Sequence, residues 1–400
     1  MSFKPLAMVA AVVIAAVGCG SPAATSTPVP TTPPTAAPPT ATAAAECTVG
    51  VSWNNFQQPR WAAHDEPNLK KTVEDGGGTY ISADANLSSE QQLTDVDNLI
   101  SQGADVLVLL AQDQNAILPA LAKAKQQGIP VIAYDRLIED TSILYLTFDN
   151  VGVGKAEAAG LLAAVPTGNY VIIKGDSGDP NASTFLPEGF KQAGILDKIT
   201  SGDIVVLNAQ GTNWPTDYGT YTDAWKTETA QANMETIIDR ANSDGKTIDA
   251  ILAENDSTAL GVVAAETAKG MTFVPLSGQD GDAANLNNVA LGKQYVDVWK
   301  NANELGKAAG AAALQLCAGT ALGAVTLPAS LLNPDVTPVA GLTAADFVTP
   351  GNNTVKSIIL TPQPLTADKL QQPIDAGYVT KDEICAGVDA TSATAPAACK

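Results

Sequence analysis

From residue 48 to residue 316 short apolar runs alternate with amphipathic stretches, and this alternation restricts the fold more than any other feature of the chain. Residues 48–53, 79–83, 106–110, 129–134 and 144–148 read as strands. Between them lie a helix over 67–75, one opened by Ser88-Ser89-Glu90-Gln91 and striped by Leu93, Val96, Leu99 and Ile100, and one striped by Ile117, Leu118, Leu121 and Ala124. A second series follows, with strands at 170–174, 204–208, 248–253, 273–277 and 295–299. Its helices fall at 151–165, 185–198, 223–242, 257–269, 283–291 and 303–316. The run 106–110 is apolar throughout, as in a strand covered on both faces. Strands alternating with helices form parallel sheets through right-handed crossovers. More than ten strands are too many for one compact sheet, and residues 103–109 echo 248–253. The expected fold is therefore α/β, with two Rossmann-like lobes of parallel sheet, joined by a hinge of crossover segments around a cleft. The expected lobes are 47–149 plus 293–350 and 150–292 plus 351–385. Residues 355–360 read as a final strand passing between lobes, and 386–400 as a loose tail. Hinges are expected near 149–150, 280–292 and 360–364.

The chain begins with Lys4, an apolar run over 6–17 and small residues before Cys19. Residues 1–18 read as a secretory signal, too short to remain as a membrane span. Ala16-Val17-Gly18-Cys19-Gly20-Ser21 resembles a bacterial lipobox, which implies that Cys19 becomes a lipidated N-terminus. Residues 19–46, nearly all Pro, Thr, Ala and Ser, cannot bury a core and read as a disordered tether. The expected location is extracytoplasmic, either anchored to the outer face of the cytoplasmic membrane or periplasmic, with membrane contact through the lipid alone. A net charge of −20 leaves nothing to neutralise phosphates, which argues against nucleic acid. Setting Cys19 aside leaves Cys47, Cys317, Cys385 and Cys399, enough for two disulfides with three possible pairings. No Cys-x-x-Cys or His partner accompanies them, so no metal site is expected.

In open α/β sheets, ligands bind beyond the carboxyl ends of the strands. There this chain carries Asp135-Arg136, Asp149-Asn150, Asp176 to Asn181, Glu254-Asn255-Asp256, Gln279-Asp280 and Lys300. Carboxylates, amides and guanidinium groups together suit a polyol, whose hydroxyls both donate and accept. Trp53, Trp61, Trp214, Trp225 and Trp299 offer flat faces for a sugar ring. Any one Asp or Asn is equally well a helix cap or turn residue; the recurrence at strand ends is what favours a site.

Arg60-Trp61, Gly103-Ala104-Asp105-Val106-Leu107-Val108, the stretch Gly128 to Arg136, Phe148-Asp149-Asn150-Val151-Gly152-Val153-Gly154, Pro166 to Tyr170, Asn255-Asp256-Ser257-Thr258-Ala259 and Ser277-Gly278-Gln279-Asp280 resemble the periplasmic xylose-binding proteins, in consistent order from residue 49 to 303. That family has the type I periplasmic binding fold and supplies the substrate-binding subunits of ABC sugar importers. The resemblance implies a monomer that captures a xylose-like aldose between its lobes, uses no cofactor, and delivers the sugar to a membrane permease. It implies Arg60, Asp135, Arg136, Asn181, Asn255, Asp280 and Lys300 as polar ligands, with Trp61 and Trp225 stacking on the sugar. The segment 211–222 looks inserted, so Trp214 competes with Trp225.

Gly175-Asp176-Ser177-Gly178 and Ala62-Ala63-His64 match protease signatures, but a Ser-His-Asp device of that family needs paired antiparallel barrels. No enzyme is expected. A repressor's sugar-sensing domain would carry a helix-turn-helix where this chain has its signal. Presentation of a sugar to a chemotaxis or sensor-kinase partner, or binding of another small polyol, remains as an alternative.

Overall fold

The computed structural model describes residues 47–331 and 341–400; the signal, Cys19, the tether and part of the 317–351 region lie outside the described residues. The first lobe opens with β1 (Thr48–Trp53), α1 (Glu66–Asp75), β2 (Thr79–Asp84), α2 (Ser89–Ser101), β3 (Val106–Leu109), α3 (Leu118–Gln126), β4 (Val131–Tyr134) and β5 (Ile143–Phe148). The second contains α4 (Asn150–Ala164), β6 (Gly168–Ile173), α5 (Leu186–Ala193), α6 (Ile195–Ser201), β7 (Ile204–Val206), α7 (Thr227–Ser243), β8 (Ala250–Ala253), α8 (Asp256–Lys269), β9 (Ser277–Gln279), α9 (Ala283–Ala290) and β10 (Val296–Trp299). The chain then returns for α10 (Ala302–Cys317), β11 (Thr326–Leu327), β12 (Leu342–Thr343), β13 (Ala345–Val348) and β14 (Thr354–Leu360). It ends on the second lobe with β15 (Gln363–Leu365), α11 (Gln371–Asp375) and α12 (Lys381–Ile384).

The first sheet has the order β13-β14-β5-β4-β3-β1-β2 and is parallel apart from the β13–β14 pair. In the second lobe β7-β6-β8 and β9-β10-β15 are joined by a bridge between Ile251 and Leu276. Strand order reverses between β1 and β3 in one lobe and between β6 and β8 in the other, and crevices open at such reversals. The apolar strands are sandwiched as their composition requires. Leu69, Val73, Leu305 and Ala309 of α1 and α10 pack on one face of the first sheet, and Leu99 and Leu121 of α2 and α3 on the other. The second lobe repeats this with α4 and α5 on one face and α7 and α8 on the other.

Several expectations change. β10 pairs with β9, so 293–299 belongs to the second lobe rather than the first. β14 pairs with β5, so 354–360 belongs to the first lobe rather than the second. The crossovers accordingly run from β5 to α4, from β10 to α10 and from β14 to β15, and the hinge expected at 280–292 is an ordinary strand–helix–strand turn inside one lobe. The strand expected at 273–277 is displaced to 277–279. Pro275 has no N–H for a ladder, and its carbonyl instead accepts from Ile251. Residues 386–400 are no loose tail: Ala398 and Cys399 are buried with Leu370, Tyr378 and Ile384. The disulfides are Cys47–Cys317, which ties the start of β1 to the end of α10, and Cys385–Cys399. No described helix is long and apolar enough to cross a membrane.

Candidate functional site

Eleven residues from the carboxyl ends of both sheets line a small cavity of about 20 Å³. That is room for about one water and far below the ~300–1,000 Å³ of drug-sized ligand sites, so the walls must part to admit a larger ligand. Arg60 is its centre. It follows β1 and leads into a widened π-type turn, Trp61–Asp65, that runs on into α1. Such turns recur at functional sites, and a second one, Asn181–Phe185, precedes α5 at the matching place in the other lobe. The Arg60 fork donates from Nε and Nη2 to the two Asp65 oxygens at 3.1 and 2.9 Å. Its Nη1 donates to Asp280 Oδ1 at 3.0 Å and lies 3.3 Å from Asp135 Oδ2. The guanidinium also sits 4.2 Å above the Trp61 ring, a cation–π contact. Lys300 Nζ is 2.9 Å from Asp280 Oδ1 and 3.9 Å from Asp135 Oδ2.

Asp135 and Asp280 both lie in the left-handed region, with φ of 61° and 114°. Strain of this kind in a non-glycine residue persists only where the surroundings enforce it. Burial opposes ionisation of Asp135, but Lys300, Arg60 and Arg136 outweigh it and hold the carboxyl below its usual range. For Asp65 burial wins over Arg60 and raises the pKa to about 6; Tyr134 donates to its Oδ1 at 2.5 Å. Arg136 reaches across the cleft, with Nε 2.8 Å from Asp179 Oδ2 and Nη1 donating to the Ala111 carbonyl. Burial raises the Asp179 pKa despite Arg136.

The placement of Trp225 depends on one glycine. A Cβ on Gly175 would lie 2.1 Å from the Trp225 ring. Trp225 and Ala224 take φ of 57° and 53°, and the Ala224 N–H donates to Asp176 Oδ2 at 2.6 Å. The indole is thereby laid against the end of β6. Below it, Glu254 accepts from the Gly175 N–H, and burial, opposed by Lys174, raises the Glu254 pKa to about 8.

Arg60, Trp61, Asp135, Arg136, Trp225, Asn255, Asp280 and Lys300 all line this cavity. Asn181 does not; it is buried at the head of the second π-type turn, and Asp179 occupies the wall instead. Asn255 does cap α8, with Oδ1 accepting from Thr258 N, which leaves its Nδ2 and the second lone pair of Oδ1 for a ligand. Trp214 packs on Tyr218 and lines a separate groove beside Phe347. Asp149 serves as the N-cap of α4. Gln58 is a lining residue that the sequence did not single out; Asp179 and Gln279 stood among the polar strand ends but were not chosen as ligands. The protease signature dissolves: the His64 ring contacts Asn303 and Tyr378, and Ser177 is not among its partners.

Chemically, the walls balance. Arg60, Arg136 and Lys300 face Asp65, Asp135, Asp179 and Asp280. Trp61 Nε1, Trp225 Nε1 and Gln279 Oε1 are buried with no hydrogen-bond partner among the described residues. Donors and acceptors of both kinds, without a large surplus of charge, match a neutral polyhydroxylated ligand better than an anion.

Residues 49–321 match the family model described as periplasmic binding protein domain. The D-xylose-binding periplasmic protein of Escherichia coli (strain K12) is 33% identical over 275 residues, covering 68% of this chain and 78% of that protein. The protein of the same description from Haemophilus influenzae is 31% identical, covering 72% and 84%. Among solved structures, an ABC transporter solute-binding protein from Clostridium phytofermentans with bound β-D-glucose superposes with a TM-score of 0.72 at 29% identity, covering 84% of this chain and 99% of that one.

Proposed function

The chain belongs to the periplasmic binding proteins, in the xylose-binding family, and from that premise we propose that it is an extracytoplasmic receptor that captures a xylose-like monosaccharide between its lobes and hands it to an ABC importer. The observation that carries this reading is Arg60, held by Asp135 of one lobe and Asp280 of the other at the wall of the cavity the two lobes share. A sugar hydroxyl placed there meets charged acceptors and donors from both lobes, so its binding favours the closed arrangement over the open one. Trp61 and Trp225 supply the flanking faces, and Asn255, Lys300 and Gln279 the remaining polar contacts. The reading includes no enzymatic step.

Titration calorimetry of residues 47–400 against D-xylose, D-glucose, D-galactose and L-arabinose tests it. One-to-one binding to at least one of these is expected; no heat with any of them overturns it. Delivery to a permease rather than to a sensor is tested by sugar-stimulated ATP hydrolysis of a reconstituted importer. Lipid attachment at Cys19 is part of the same proposal. A fatty-acid label lost in Cys19→Ala, together with release from the membrane fraction, is the expected outcome.

A further inference from the structure

The two lobes repeat the same local scheme around their left-handed aspartates. Asp135 follows β4 and donates its N–H to the Leu146 carbonyl of β5; Asp280 follows β9 and donates its N–H to the Val298 carbonyl of β10. The registers Tyr134–Leu146 and Gln279–Val298 make these positions equivalent. In the first lobe the next residue of β5, Thr147, donates its hydroxyl to the Asp135 carbonyl at 2.8 Å. The equivalent residue of β10 is Trp299, which has no hydroxyl, and its Nε1 has no hydrogen-bond partner among the described residues. The Asp280 carbonyl instead accepts from the hydroxyl of Tyr378, 98 residues away on the C-terminal segment, at 3.2 Å.

We infer that Tyr378 is a positioning residue for ligand binding, doing for Asp280 what Thr147 does for Asp135. It lies beyond the 49–321 match to the family model. Buried and set edge-on to Trp299, it holds the backbone whose φ of 114° turns the Asp280 carboxylate towards Arg60 and Lys300. Its ring also stacks on His64 of the first lobe, with centroids 3.8 Å apart and planes 9° apart, so the same side chain meets both sides of the cleft. The Cys385–Cys399 disulfide and the Asn287 bonds to the Ile384 and Ala386 carbonyls pin the segment that carries it. This inference rests on the sugar-binding reading above.

Tyr378→Phe removes the hydroxyl and keeps the stacked ring. With D-xylose and D-glucose as probes, the variant is expected to bind about five- to tenfold more weakly than wild type, the loss of one hydrogen bond to a buried carbonyl. Its sugar-free unfolding midpoint should fall by only a few degrees, the scale of about 1 kcal/mol for one lost hydrogen bond, and the sugar-free peptide around 278–284 should exchange its amides faster. Unchanged affinity overturns the inference, whatever happens to exchange or to the midpoint. If wild type binds neither sugar, the sugar-binding reading fails on its own. Amide exchange then decides the placement of Asp280: unchanged exchange in Tyr378→Phe overturns it, and acceleration supports it.

Discussion

Asp135 and Asp280, at equivalent places in the two lobes, meet on a single nitrogen, Nη1 of Arg60, at 3.3 and 3.0 Å. The lobes are therefore joined at the cavity by a buried cation shared between two carboxylates, with Lys300 beside it against the same pair. Asp135→Asn and Asp280→Asn should each weaken sugar binding by about 1.5–3 kcal/mol, the scale of a charged hydrogen bond. Because both act through Arg60, the double substitution should depart from additivity by ~0.5–3 kcal/mol. A calorimetric double-mutant cycle measures the departure, and strict additivity would count against the shared-arginine account.

Gly175→Ala probes the stacking face without touching a polar group. The new methyl would overlap the Trp225 ring, which lies 2.1 Å from the ideal Cβ position. The ring must swing away or the end of β6 must shift. Sugar affinity should fall at least about tenfold, while Trp214, in its separate groove, leaves binding unchanged when replaced by Phe. Titration of the two variants side by side distinguishes the indoles.

The strand ending at Tyr134 was legible because an apolar run after Gly128 can only be a covered strand, and a charged pair just beyond it has to lie at the sheet edge. The same logic found Asp280 and Lys300. It missed Asp179, because which residue of a polar turn faces the cleft depends on the turn itself. Here Asp176 accepts from Gly178 N and Asp179 from Asn181 N, fixing a conformation that the sequence pattern does not encode. The C-terminal segment was misread as a tail for a related reason. Leu370, Tyr378, Val379 and Ile384 are too widely spaced to show a period, and they become a core only on docking to Leu286, Val289 and Trp299. Lobe membership of β10 and β14 is likewise a matter of pairing partners far apart in the chain.

Stability should fall as pH rises from about 4.5 to about 8. Burial raises the Glu254 and Glu266 pKa values to about 8 and that of Asp297 to about 7. An acid whose folded pKa is raised binds its proton more tightly in the native state. Its contribution is complete below the unfolded value and is lost as pH climbs through the folded one. Within that window each such group contributes a slope of up to about 1.4 kcal/mol per pH unit. Glu254→Gln mimics the protonated carboxyl, so denaturant unfolding at pH 5 and pH 8 should show a smaller loss in the variant than in wild type. An identical loss in both would remove Glu254 from the account.

The disulfide Cys47–Cys317 closes a loop with a sequence separation of 270 across the first lobe. Replacing both cysteines by serine should lower stability by about 2–5 kcal/mol. Sugar affinity should be retained, because the bond joins the amino end of β1 to the last residue of α10, and the cavity residues lie at the carboxyl ends of the strands. Unfolding by denaturant, with and without sugar, separates the two effects.

Arg136 and Asp179 form a further ionic contact across the cleft, at 2.8 Å with both side chains almost fully buried. Arg136→Ala removes a donor from the cavity wall and leaves the Asp179 carboxylate buried without its cation. Charged hydrogen bonds of this kind contribute about 1.5–3 kcal/mol, so sugar affinity should drop roughly 10- to 150-fold. Arg136→Lys keeps the charge but loses the fork that serves both Asp179 and the Ala111 carbonyl, and it should recover only part of the loss. Part of the defect should also be relieved at low pH, where Asp179, already raised in pKa by burial, takes up a proton and no longer needs a partner. Titrating wild type and Arg136→Ala over a pH series reads this directly: the affinity gap should narrow as pH falls through the Asp179 titration. A gap independent of pH would mean that the lost contact is made to the sugar alone and not to Asp179.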